Sequence, residues 1–224
     1  MLNLAPNIYL PAQAESKLEP LGLTVSVLTE SALEGLHAAL SCTDNHPRNA
    51  HGFYQWAETV RALRDRLLPL GWTRRDEQGF PLVVSPSGET SLAVATGDEG
   101  TGLQHRVPQT TSKKGPKTRK LVQRNVVQLQ LFAEESVDHF DEGSLKHLGW
   151  LLLVHRDFHC QELRLELSLP EGLNADGRVS EWRERIILPA VSFDGEIGPL
   201  DLAEIPAAPE VEVPIVRRTS GGGV

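Results

Sequence analysis

The chain has 224 residues, 40% of them apolar and only twelve aromatic, with a formal charge of −8. That length and apolar share predict one large domain with an aliphatic core and argue against a disordered chain. No apolar stretch approaches the ~20 residues that span a bilayer. Without a basic-then-apolar start, and with Cys42 and Cys160 read as free thiols, a cytoplasmic location is expected.

Residues 1–20 read as an arm or edge segment. Leu23 to Leu28 (LTVSVL) reads as a strand, and Ser31 with Glu34 has the spacing of a helix capping box, with Leu33, Leu36 and Leu40 behind it. A second helix is predicted from Ala50 to Leu68. Its stripe is Phe53, Trp56, Ala57, Val60, Leu63 and Leu67, and Pro69 and Gly71 end it. The period then changes. Trp72 to Arg75, Phe80 to Ser85 and Thr90 to Thr96 read as strands, the last two joined at Pro86-Ser87-Gly88 as a hairpin.

A long polar segment follows, read as a mobile loop over residues 97–117. Pro116 suits a first helical turn, so a short helix is predicted over Lys117 to Asn125, then a strand over Val126 to Phe132. Residues 133–147 read as an acidic stretch with a short helix. Gly149 to His155 and Cys160 to Leu169 read as strands. In the second, Leu163, Leu165, Leu167 and Leu169 face one way, and Glu162, Arg164, Glu166 and Ser168 face a solvated side. A turn at Asn174–Gly177 leads to a strand from Trp182 to Leu188. Residues 190–224 read as an extended tail, acidic and rich in proline. The expected fold is α+β: two N-terminal helices packed on a largely antiparallel sheet, in a single domain over residues 21–189.

Charge is segregated along the chain. Between Gly100 and Ala133 there is no Asp or Glu, yet Arg106, Lys113, Lys114, Lys117, Arg119, Lys120 and Arg124 lie there. Cations without neighbouring carboxylates attract phosphates and release counterions on binding. The leading expectation is therefore a nucleic-acid-associated intracellular protein of a bacterium or phage. Lys113, Lys114, Lys117, Arg119, Lys120 and Arg124 would meet the phosphate backbone without reading sequence. The acidic tail would compete with nucleic acid for this segment.

The alternative is a metal-dependent phosphoesterase or nuclease. Asp98, Glu99, Glu162 and Glu166 are its candidate carboxylates for Mg²⁺. The Glu-x-Lys pattern of many such nucleases occurs only as Glu15-Ser16-Lys17, in the arm, and Glu162-Leu163-Arg164 has an arginine in the lysine's place. His155, Asp157 and His159 gather potential metal ligands near a turn, without the second pair that a structural zinc site needs. A third reading is a protein-interaction module that docks partners through the loop or tail. Gln128-Leu129-Gln130-Leu131-Phe132 resembles the pentapeptide by which many bacterial DNA-processing proteins dock on the replicase sliding clamp. That resemblance implies an extended, exposed segment with Leu131 and Phe132 in an apolar pocket of the clamp.

Overall fold

The computed structural model of the chain describes residues 5–77, 79–133 and 147–193. The amino-terminal segment begins at one edge of the sheet. It forms strand β1 (Asn7–Tyr9) and helix α1 (Pro11–Leu18), and Ala14 and Leu18 are fully buried in the main core. Helices α2 (Val25–Leu40) and α3 (Ala50–Leu67) follow. Then come strands β2 (Thr73–Glu77), β3 (Phe80–Val84) and β4 (Thr90–Thr96), helix α4 (Pro116–Ala133), and strands β5 (Leu148–Asp157), β6 (Glu162–Leu173), β7 (Val179–Ile187) and β8 (Val191–Ser192). The fold is α+β. One mixed sheet runs β1-β7-β6-β5-β4-β3-β2, with β8 paired to β6. The strands pair antiparallel except β1 with β7 and β4 with β5. No described helix is long and apolar enough to cross a membrane.

Helices cover both faces of the sheet. On one face the α2–α3 pair packs Leu28, Leu36, Val60, Leu63 and Leu67 against Leu92, Trp150, Leu152, Leu165 and Leu167. On the other, α4 sets Leu121 and Val122 against Ala93, Ala95, Leu151 and Leu153. The parallel β4–β5 pair accounts for the long segment between these strands. Parallel neighbours require a crossover rather than a hairpin, and residues 97–147 supply it, with α4 lying across the sheet.

Two expected strands are helical. Thr24 begins α2, its Oγ1 accepting a hydrogen bond from the Val27 N–H at 3.3 Å, so the Leu23–Leu28 run enters a helix that buries Leu28, Ala32, Leu36 and Ala39. Likewise Val126–Phe132 continues α4. The clamp-like pentapeptide therefore has helical backbone, not the extended form its resemblance implies. The short acidic helix expected within 133–147 falls almost wholly outside the described residues, and so does the tail beyond Phe193.

The segment read as a mobile loop is fastened to the sheet. Asp98 N–H donates to Gln109 O, Thr110 N–H to Val179 O, Thr111 N–H to Thr96 O and Lys114 N–H to Gly177 O. Thr101 and Thr110 are fully buried. Beneath it, Arg185 and Glu166 form an ion pair at 2.7 Å with neither side chain exposed. Arg185 also donates to the carbonyls of Leu103 and Arg106, while Glu166 accepts from Gly102 N–H and the Ser168 hydroxyl. On the side of β6 expected to be solvated, Arg164, Glu166 and Ser168 are thus buried, and the Glu166–Arg185 pair ties the crossover down.

Candidate functional site

A proline interrupts each of two strand pairs, and a helix side chain repairs each interruption. In the β3–β4 register, Val83 faces Leu92, so Pro81 comes opposite Val94. Alternate pairs carry the ladder bonds, as Ser85 N–H to Thr90 O shows, and Pro81 has no N–H to give Val94. Trp56 Nε1–H donates to Val94 O instead, at 3.2 Å, from α3. In the β5–β6 register, Leu151 faces Ser168, so Gly149 comes opposite Pro170. Here the fully buried Asn125 of α4 donates to Gly149 O and Pro170 O at 2.9 and 3.0 Å and accepts from Gly149 N–H at 2.9 Å. Gly149 is required where it stands, because a Cβ there would fall within 2.5 Å of Leu121. These contacts fix the height and rotation of α4 over the sheet.

Beyond the Val83–Leu92 pair the β3–β4 pairing ends, and the opening holds a cavity of about 300 Å³. Residues from both faces of the sheet line it: Trp56 from α3, Phe80 and Pro81 from β3, Val94 to Thr96 from β4, and Ser112, Lys114 and Thr118 from the crossover and α4. Lys114 keeps partial contact with solvent but is crowded by protein. Burial lowers its pKa to about 8, and its amine donates to the Ser112 hydroxyl at 3.3 Å. Thr118 is buried.

A shallow groove lies along the same helix, with Phe80 lining both it and the cavity. Lys117, Lys120 and Arg124 recur at i, i+3 and i+7 and so share one side of α4. Facing them are Arg75 of β2 and Leu82 of β3, and His147 lies at the groove as well. His147 is held by Gly88 O at 2.7 Å and the Ser91 hydroxyl at 2.9 Å. A carbonyl only accepts, so Nδ1 carries a proton there. No carboxylate is among the described residues that line the groove or the cavity.

The six basic candidates therefore divide. Lys117, Lys120 and Arg124 line the groove and Lys114 lines the cavity. Lys113 is exposed outside both. Arg119 points elsewhere, its Nε–H on Lys114 O and its guanidinium beside Gly177.

The candidate carboxylates lie elsewhere again. Asp98 accepts from the N–H groups of Gly100 and Gln109, which closes a turn. Glu99 is exposed and pairs with Arg106 at 3.3 Å. Glu162 lies opposite Asp157 at the end of the β5–β6 pair, while Glu166 is enclosed with Arg185. Asp157 accepts from His159 N–H, Cys160 N–H and Arg164, and those backbone donors hold its pKa below the ordinary value. His155 is lowered by burial, with Nδ1 at 3.2 Å from Gly97 O. Among the described residues, no three His, Cys, Asp or Glu side chains converge as a metal site would require.

No family model, no curated protein and no solved structure matches this chain.

Proposed function

We propose that the protein binds the phosphate backbone of nucleic acid in the groove between α4 and the β2–β3 edge. One observation carries the reading. Four cationic side chains, Arg75, Lys117, Lys120 and Arg124, line a single groove from two separate elements. Clustered cations of this kind bind phosphate by releasing condensed counterions, and the affinity is then steeply salt-dependent. Contacts to phosphate alone carry no sequence information.

The test is a titration with labelled oligonucleotides across a salt series. On duplex DNA each phosphate contact contributes about −0.9 to the slope of log K against log salt. Replacing Lys117, Lys120 and Arg124 together by glutamine is expected to make the slope shallower by about three. Replacing Lys113 and Arg119 should leave it nearly unchanged. Failure of the wild-type protein to bind any nucleic acid at low salt would end the proposal.

A further inference from the structure

We infer that the occupant of the groove is single-stranded nucleic acid, with one base leaving the stack to fill the cavity between Trp56 and Phe80. The inference rests on the phosphate-binding reading of the groove and adds what lies next to it. Backbone contacts alone do not distinguish one strand from two. A cavity lined by two aromatic side chains, and sharing Phe80 with a cationic groove, does, because a base inside a duplex cannot reach it.

The geometry suits a base. The volume of about 300 Å³ is at the lower end of the range for small-molecule pockets, which is room for a flat heterocycle. Its walls are apolar and aromatic where Trp56, Phe80, Pro81 and Val94 contribute, and polar where Ser112, Lys114 and Thr118 do. An ammonium offers only donors, so the polar end favours the keto oxygens of thymine, uracil or guanine. The opening exists because Pro81 cannot continue the β3–β4 ladder, and Trp56 is held at its margin by Val94 O. Outside the cavity the aromatic surface continues. The Phe53 ring lies 6.0 Å from Trp56 and the Tyr54 ring 5.9 Å from Phe53, and Phe53 is 58% exposed. An exposed ring beside a cavity aromatic is a platform for the neighbouring base. From Lys117 to Arg124 the helix rises about 10 Å, enough to follow a few consecutive phosphates.

The experiment uses the full chain and an oligothymidylate of about eight nucleotides, within the site size of such grooves. A single abasic position is moved along the strand. One position is expected to weaken binding by about five- to a hundred-fold, the range for loss of one base–aromatic contact, while the others have little effect. A duplex of equal length should bind more weakly than the single strand. Phe53→Ala, at a position 58% exposed, should weaken the single strand several-fold and leave the duplex unaffected. DNA and RNA share the chemistry, and an oligouridylate run in parallel shows which sugar is held more tightly. Equal binding of single strand and duplex, with no sensitivity to abasic position, would overturn the inference and leave the phosphate groove standing. Absence of binding by either would overturn both.

Discussion

Lys114 is charged at neutral pH in a place that disfavours charge. Its folded pKa of about 8 lies below the 10.5 of an ordinary lysine because protein atoms have displaced much of its water. Between about pH 8 and 10.5 the unfolded chain binds the proton more tightly than the folded one, so stability rises with pH through that window. Below about pH 8 the cost is present in full. Lys114→Met should therefore stabilise the protein at pH 7 by about 1 kcal/mol, less than full desolvation would give because the amine keeps some water. The gain should fade toward pH 10.5, and urea unfolding at several pH values would show it. A gain that does not change with pH would mean that better packing, and not relief of charge, is responsible. Glu166 presents the opposite case. Its charge is matched by Arg185 and two further donors, so Glu166→Gln leaves a buried guanidinium without its counter-ion. A loss of about 3–5 kcal/mol is expected in denaturant unfolding. A loss under 1 kcal/mol would mean that water reaches the pair. From sequence, Glu162, Arg164 and Glu166 look like a solvated strand face. The burial of Arg164 and Glu166 depends on a crossover that packs over β6 from some sixty residues earlier in the chain, and alternation along one strand carries no trace of that.

At the scale of elements, α3, the β3–β4 hairpin and strands β5 to β7 were legible because one signal dominated each. A heptad-like apolar stripe marks α3, Pro86-Ser87-Gly88 marks the hairpin, and leucine alternation marks β6. Two elements misled because β-branched or alternating residues sit in helices. LTVSVL carries Val and Thr, yet the Thr24 cap and the apolar spacing 28, 32, 36 prevail. VVQLQLF alternates, yet α4 turns a mixed face to the sheet, where Thr118, Asn125 and Gln128 are buried along with Leu121 and Val122. Counting apolar residues alone cannot find such a face. The basic half of the candidate site was visible as an acid-free run. Arg75, Phe80 and Trp56 were not, since they reach it through sheet order and a gap left by Pro81. The contact that sets α2 against α3 is also invisible from periodicity. Gly35 lies so close to α3 that a Cβ would come within 2.1 Å of Thr59 Oγ1 and 2.4 Å of Gln55 O. A backbone carbonyl cannot swing aside, so Gly35→Ala should force the helices apart and cost about 1–3 kcal/mol, despite alanine's better helix propensity. Thermal unfolding would measure it, and a stabilised variant would mean that the two helices slide freely.

For the whole molecule, the net charge of −8 opposes the proposed anionic ligand while the groove attracts it, so binding depends on where the negative charge lies. Residues 194–224 contribute six carboxylates against Arg217 and Arg218. The expected competition between this tail and nucleic acid can be tested by truncation, and the structure places the cut. Ending the chain at Pro189 would remove Val191, which pairs with Leu163, and Phe193, which is buried and whose N–H donates to Gln161 O at 2.9 Å. A loss of affinity would then reflect a damaged core. Ending it after Phe193 keeps those contacts and removes the six carboxylates. The truncated chain should bind an oligonucleotide several-fold more tightly at low salt. The difference should close as salt rises, because screening shortens the reach of exposed charges to about 10 Å at 0.1 M. A tail that occupies the groove should also yield a truncated protein whose advantage is lost when Lys117, Lys120 and Arg124 are replaced by glutamine. If the advantage persists in that variant, the tail acts on some other cationic surface. If truncation leaves affinity unchanged at every salt concentration, the tail plays no part in binding.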